Sequence, residues 1–331
     1  MLLMSCGLFF LLKLPITVLA QAHKPHIVSY VTARTKPVPD PNLISHINYA
    51  FGHVNETFNG VNVENPDRLR EVVKLREINP DLKVLLSIGG WTSGGFSEMA
   101  ADKENRSSFA KDCQRIVKEF DLDGIDIDWE YPTSNEAGIS ASVEDTDNFT
   151  LLMRDIRKAI GAKKLLTLAT IADGKFIDFR AIDKDIDFVN VMMYDVSKPP
   201  LQHNSLYRSD LAGRITLVEA LQAHLDAGVP KNKLVMGIPF YGRGDKKKVN
   251  DFVNFRDMPL PGFHEKWDDE SKVPYLVDDT GALVLTFENE KSIKEKAAYI
   301  KSQGILGAMY WEFYGDNDEL LLSKTLYQGL K

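Results

Sequence analysis

The stretch Asp123-Gly124-Ile125-Asp126-Ile127-Asp128-Trp129-Glu130 decides how the rest of this chain is read. Its acids alternate with Ile125, Ile127 and Trp129, a run too apolar for a solvated loop and too acidic for an ordinary buried strand. A β-strand reconciles the two, because residues two apart project to the same side. Asp126, Asp128 and Glu130 then share one face, with successive Cα atoms roughly 6.6 Å apart. Like charges so placed destabilise the fold and push protons onto one another, which suits acid/base chemistry. A calcium loop of the EF-hand type is excluded, since its glycine falls sixth and its glutamate twelfth, whereas Gly124 is second here. An exposed sheet edge would not place two isoleucines and a tryptophan behind its charges.

Outward from this strand, short β-branched runs alternate with amphipathic stretches. Strands are predicted at 26–33, 44–52, 83–89, 124–130, 165–171, 188–194, 234–241 and 305–311. Helical spacing of apolar residues falls at 66–78, 104–120, 145–160, 215–227 and 292–303. Eight strands with helical crossovers call for a parallel sheet covered on both faces, and eight is the number that closes into a (β/α)₈ TIM barrel. The rival, an open doubly wound sheet, would carry Gly-x-Gly-x-x-Gly after its first strand, and that motif is missing. The connection after strand seven, about 244–290, is too long for one crossover and reads as small strands and turns, a short insertion at the barrel's C-terminal rim. There is no internal repeat, low-complexity tract or appended module.

Composition sets further limits. The 331 residues carry a formal charge of −7, which argues against a nucleic-acid partner. Residues 1–20 are almost continuously apolar and end Val18-Leu19-Ala20, a small-residue cleavage pattern, although no basic residue precedes the run and Lys13 interrupts it. A signal peptide is the favoured reading, leaving 21–331 as the catalytic barrel of a secreted or periplasmic protein, with no membrane span in the mature form. Cys113 is then the sole cysteine, so no intrachain disulfide forms. It falls on the apolar side of a helix with Phe109, Ile116 and Phe120, a packing position. The seven histidines show no ligand spacing such as His-x-x-x-His, so no metal is expected, and no cofactor.

Chemistry in such a barrel gathers where strands end. There the sequence offers Tyr30, Phe51, Trp91, Met192, Tyr194, Asp195, Tyr241, Arg243 and Trp311 beside the acids of strand four. Singly, each aromatic is more often core than platform. Together on one rim they suit a sugar, whose apolar ring faces stack on aromatic planes while its polar groups take hydrogen bonds.

At this point the chain resembles glycoside hydrolase family 18, the chitinases and related endo-β-N-acetylglucosaminidases. Asp123–Glu130 is similar to that family's Asp-x-x-Asp-x-Asp-x-Glu signature, and Ser87-x-Gly89-Gly90 and Met192-x-Tyr194-Asp195 to its two other motifs. The likeness runs from about His26 to the C-terminus. It implies that Glu130 is the general acid/base, that Asp128 orients the substrate's 2-acetamido group, that Asp126 shares a proton with Asp128, and that Tyr194 bonds the acetamido carbonyl. It further implies that Trp311 is the floor under the cleaved sugar and Trp91 a platform on the leaving-group side. Tyr30, Phe51, Met192, Asp195, Tyr241 and Arg243 match further cleft positions, while Asp173-Gly174-Lys175 matches none.

Most retaining glycosidases use a second carboxylate as nucleophile; family 18 is an exception that uses the substrate's own amide. The resemblance therefore implies a retaining hydrolase of β-1,4-linked N-acetylglucosamine in chitin or chito-oligosaccharides, expected to be a monomer. The rival enzyme is an endo-β-N-acetylglucosaminidase acting on N-glycan cores. A non-hydrolytic lectin on the same barrel typically lacks the acid at the Glu130 position, which is present here.

Overall fold

The computed structural model describes residues 24–331; the leader expected at 1–20 lies outside the described residues. Eight parallel strands close on themselves: β1 (His26–Thr32), β2 (His46–Val54), β4 (Lys83–Gly89), β5 (Gly124–Asp128), β6 (Leu165–Ile171), β7 (Phe188–Met192), β8 (Leu234–Pro239) and β14 (Gly307–Trp311). Each pairs with the next in chain order, and β14 returns to β1. The short strand β3 (Val61–Val63) adds to β2 antiparallel. Between β8 and β14 the chain builds a second sheet, entirely antiparallel: β9 (Tyr241–Gly244), β10 (Phe252–Asn254), β11 (His264–Asp268), β12 (Val273–Val277) and β13 (Leu283–Thr286), in the order β10-β9-β13-β12-β11. The TIM barrel expected from strand count and crossovers is what the chain forms.

Helices α1 (Pro66–Val73), α2 (Phe96–Ala101), α3 (Lys103–Glu119), α4 (Asp145–Ile160), α5 (Phe179–Ile182), α6 (Leu217–Asp226), α7 (Glu290–Gln303) and α8 (Leu321–Leu330) lie among the strands in sequence. Their ends are set locally. Asp102 accepts from the Glu104 and Asn105 N–H groups to start α3, Thr216 and Glu219 form a capping box on α6, and Gly304 closes α7 with φ 65°. The inner faces of α3 and α4, including Phe109, Cys113, Phe149 and Ile156, bury against the outward side chains of the barrel.

Alternation along β5 sorts its residues between two environments. Ile125, Ile127 and Trp129 face the helical layer, where Trp129 stacks on Phe96 at 5.3 Å and lies 6.1 Å from Phe149. Asp126 and Asp128 are buried on the other side. The end of this strand differs from the sequence reading: it stops at Asp128, so Trp129 and Glu130 keep their alternation beyond the ladder. The reason lies in β4, whose last residue Gly89 pairs with Asp128, after which Gly90 N–H bonds the Asp128 carbonyl at 2.9 Å and β4 itself ends. A side chain at Gly89 (φ 130°) would meet that carbonyl oxygen at 2.0 Å. Glycine is needed for the two strands to approach there.

Candidate active site

Asp126 sits at the centre of the barrel and binds four donors. Tyr30 Oη donates to Oδ2 at 2.9 Å and Ser87 Oγ to the same atom at 2.8 Å; Thr167 Oγ1 and Asn190 Nδ2 donate to Oδ1 at 2.5 and 3.2 Å. The donors come from β1, β4, β6 and β7, so one carboxylate ties four strands of the ring together. Burial raises its pKa, and these hydrogen bonds oppose the rise. A carboxyl with both oxygens doubly engaged by protein donors is an acceptor, hence the anion. The serine of Ser87-x-Gly89-Gly90 thus serves Asp126, while Gly90 leaves room for the Phe51 ring, which a Cβ would meet at 2.7 Å.

Asp128 is the opposite case. Its Oδ1 is buried without a partner, and burial, Glu130 and Asp126 together push its pKa well above the usual carboxylate range. The proton of the acidic pair therefore resides on Asp128. Glu130 is pushed up to about 7, by burial first and by the charge of Asp195, against a hydrogen bond from Tyr131. Both carboxyls, one at the strand's end and one at the mouth, are thus pushed toward the protonated form.

These residues open into a cleft of about 1380 Å³ at the C-terminal ends of the strands. Glu130, Asp128, Tyr194, Trp311, Trp91, Tyr30, Phe51, Met192, Asp195, Tyr241 and Arg243 all line it, whereas Asp126 lies buried beneath. Trp311 stacks on Phe51 at 5.6 Å and leans on Tyr30 at 5.7 Å, which gives the cleft a flat apolar floor. Trp91 is 55% exposed and meets Tyr131 edge-on at 6.5 Å. Tyr194 Oη lies 3.8 Å from Met309 Sδ; burial holds this phenol neutral, with Asp128, Glu130 and Asp195 adding to the effect. Asp195 is clamped by Arg243, whose Nε donates to Oδ1 at 2.6 Å and whose Nη2 reaches Oδ2. Burial alone would raise the Asp195 pKa, but hydrogen bonds from Arg243 and His203 hold it well below the usual range. Among the described residues, no cluster of three or more His, Cys, Asp or Glu is placed to hold a metal ion.

Two contributors escaped the sequence reading, and a third, Glu312, was legible only as a residue at the end of the last strand. Tyr131 follows Glu130 and stacks on Phe176 at 5.8 Å; Phe176 comes just after Asp173-Gly174-Lys175, the segment that matched no pattern. Phe252 comes from the second sheet, 41% exposed and stacked on Tyr241 at 4.4 Å. Glu312, beyond Trp311, accepts from Thr32 Oγ1 at 3.0 Å. The signal for Phe252 was its pairing opposite Arg243, which no spacing in the sequence discloses.

Comparison with known proteins agrees with this geometry. The family model "Glycosyl hydrolases family 18" matches residues 26–316. The chain is 33% identical over 320 residues to Chitinase A1 of Niallia circulans, a match covering 81% of this chain and 46% of that one. It is 32% identical over 317 residues to Chitotriosidase-1 of Mus musculus, covering 82% and 67% respectively. Among solved structures, a family 18 N-acetylglucosaminidase from Paenibacillus barengoltzii superposes with TM-score 0.82 at 34% identity, over 92% of this chain and 100% of the other. The chain thus spans less than half the length of Chitinase A1 but all of the Paenibacillus structure. The resemblance drawn from three short motifs holds along the whole barrel, and the chain belongs to glycosyl hydrolase family 18.

Proposed function

We propose that this protein is an exported, retaining glycosidase that hydrolyses β-1,4-linked N-acetylglucosamine in chitin or chito-oligosaccharides, with the substrate's acetamido oxygen as nucleophile. One observation carries the reading: the cleft offers an acid pushed up to about 7, and of its other carboxyls only Asp128, itself pushed toward the neutral form, and the exposed Glu136 lack a partner. Asp126 is taken by four donors, Asp195 by Arg243, Glu312 by Thr32, Asp251 by Lys246 at 2.9 Å and Glu64 by Arg34 at 3.0 Å. Glu136 lacks such a partner but is exposed on the loop after Glu130.

In this mechanism the sugar to be cleaved rests on Trp311. Asp128 presents Oδ1 to the acetamido N–H, and Tyr194 Oη donates to the acetamido carbonyl. That oxygen attacks the anomeric carbon as Glu130 protonates the departing glycosidic oxygen, and an oxazolinium forms. Glu130, now ionised, takes a proton from water as the water opens the ring from the original face, so configuration is retained. Trp91 supports the leaving-group side, and Phe51, Tyr30, Met192, Tyr241, Asp195 and Arg243 shape the remaining wall. The family's named relatives, chitinases and an N-acetylglucosaminidase, support a chain of N-acetylglucosamine as the substrate. The apolar run of residues 1–20 supports export.

The test is hydrolysis of chito-oligosaccharides beside a high-mannose glycoprotein, with proton NMR of the first product formed. Cleavage of the oligosaccharide with initial β-anomer is expected. Cleavage of the glycoprotein alone would move the substrate to N-glycan cores; an initial α-anomer would end the mechanism.

A further inference from the structure

Beneath the cleft wall runs a chain of buried polar side chains that the mechanism above does not use. His203 is wholly buried and does not line the cleft, yet its Nδ1 lies 3.4 Å from Asp195 Oδ1 and within reach of the Asp195 backbone N–H, which points at it from 3.4 Å. Its ring packs against Tyr241 at 5.5 Å. The next residue is anchored as firmly: Thr286 Oγ1 donates to Asn204 Oδ1 at 3.1 Å, and Asn204 Nδ2 donates to Glu288 Oε1 at 2.8 Å. Lys296 of α7 donates to both the Glu288 carboxylate and the Asn204 carbonyl. A buried ion pair of this kind costs desolvation and adds little net stability; what it does well is fix one arrangement. Here it fixes the segment that carries His203 between the second sheet and α7.

The tautomer follows from the surroundings. His203 Nε2 is buried without a partner. A proton on Nε2 would leave an unsatisfied buried donor and turn the Nδ1 lone pair on the Asp195 carboxylate. A proton on Nδ1 makes a charge-assisted bond to the carboxylate, at the cost of an unfilled acceptor at Nε2 and of the long bond from the Asp195 N–H at 3.4 Å. Burial lowers the histidine's pKa, and Arg243 adds to this, while Asp195 and Glu288 oppose. The ring is therefore a neutral donor.

We propose that His203 is a positioning residue for the active site: from below it seats the Asp195 carboxylate against Arg243, and so fixes the anion that faces Glu130. Asp195 lies at the end of the β7 segment in the left-handed region, φ 57°, a conformation that its contacts must hold. Arg243 grips it from β9 and His203 from the loop after β7. With the histidine's N–H gone, the carboxylate has one anchor, turns toward water, and its field at Glu130 weakens. The groups acting on Glu130 are Asp128, Asp195 and the Tyr131 hydroxyl; of these, Asp195 is the one whose carboxyl is held in the ionised form, while Asp128 is pushed toward the neutral one.

This inference rests on Glu130 acting as the acid. The experiment compares His203→Phe, which keeps a ring but loses the donor, with His203→Asn, whose amide N–H lies near the position of Nδ1–H. In His203→Phe the alkaline limb of kcat/KM for a chito-oligosaccharide moves to lower pH by roughly 0.5–1 unit, and His203→Asn restores it. Asp195→Asn moves the limb the same way, and the double variant His203→Phe/Asp195→Asn moves it no further. A folded His203→Phe protein with an unmoved limb, or fully additive shifts, overturns the proposal, since a purely structural histidine lowers activity equally at every pH. A second readout needs no turnover: carboxyl-¹³C glutamate labelling, with the Glu130 signal identified by its loss in Glu130→Gln, follows that titration directly. A shifted Glu130 titration in a protein that cleaves no chito-oligosaccharide would uphold the role of His203 and reject the proposed substrate.

Discussion

Removing the Asp126 carboxylate tests whether one buried anion organises both the barrel and the chemistry. Asp126→Ala leaves Tyr30, Ser87, Thr167 and Asn190 without their acceptor. Hydrogen bonds to a charged partner contribute about 1.5–3 kcal/mol each. Their sum overstates the loss, because the variant also relieves the several kcal/mol spent on burying the anion. The net expected from breaking a buried charged arrangement is about 3–5 kcal/mol. Asp126→Asn behaves differently. Its oxygen keeps Thr167 and Asn190 as donors, and the Tyr30 and Ser87 hydroxyls rotate to accept from its amide nitrogen, so stability falls by only about 1 kcal/mol. The charge is lost, however, and with it one cause of the raised Asp128 pKa. Asp128 no longer holds its proton as tightly, and kcat is expected to fall on the order of 10²-fold. Urea denaturation of both variants, paired with turnover of a fluorogenic chitobioside, separates the two effects. An alanine variant within about 1 kcal/mol of wild type, or an asparagine variant with full activity, would refute the reasoning.

Further predictions concern the acid and the platforms. Glu130→Gln is expected to lose about 10²–10⁴ in rate while still binding chito-oligosaccharide by calorimetry. The same substitution should alter stability with a definite sign. Glu130's pKa is raised from 4.5 to about 7 in the fold, so the folded chain binds more protons than the unfolded one in that window. Wild-type stability therefore declines as pH rises from about 4.5 to 7. Glu130→Gln should match wild type at pH ~4 and exceed it by about 1–3 kcal/mol at pH ~8 in urea melts. The alkaline limb of kcat/KM should fall near pH 7 because the acid form is required, and a limb above pH ~9 would assign another group. Trp91→Ala, at an exposed position, should leave stability within about 0.5 kcal/mol and raise KM for longer oligosaccharides about 3- to 10-fold, the equivalent of one aromatic contact.

The parts legible in the sequence were those governed by local periodicity. The strands Lys83–Gly89 and Leu165–Ile171 and the helix Asp145–Ile160 have the boundaries that alternation and helical spacing predict, because Gly90, Asp173-Gly174 and Gly161 stand at or just past their ends. Periodicity failed where pairing between distant segments decides. The strand 124–130 ends at Asp128 because β4 runs out of partner at Gly89, and the strand 234–241 ends at Pro239, after which Tyr241 joins the second sheet. Asp195 and Arg243 were each legible as rim residues, but their clamp joins positions 48 apart and depends on how the second sheet docks. His203 gave no signal at all. A buried histidine in a loop looks like any other in sequence, and its meaning comes from what the fold sets beside Nδ1.

The claim that the substrate's amide is the nucleophile can be tested on the substrate itself. A series of aryl N-acetylglucosaminides whose acetamido methyl carries none, one, two or three fluorines draws electrons progressively from the attacking carbonyl oxygen. If that oxygen forms the bond to the anomeric carbon, kcat/KM for the wild-type enzyme should drop steeply with each fluorine added. A series of equal rates would show that something other than the amide attacks.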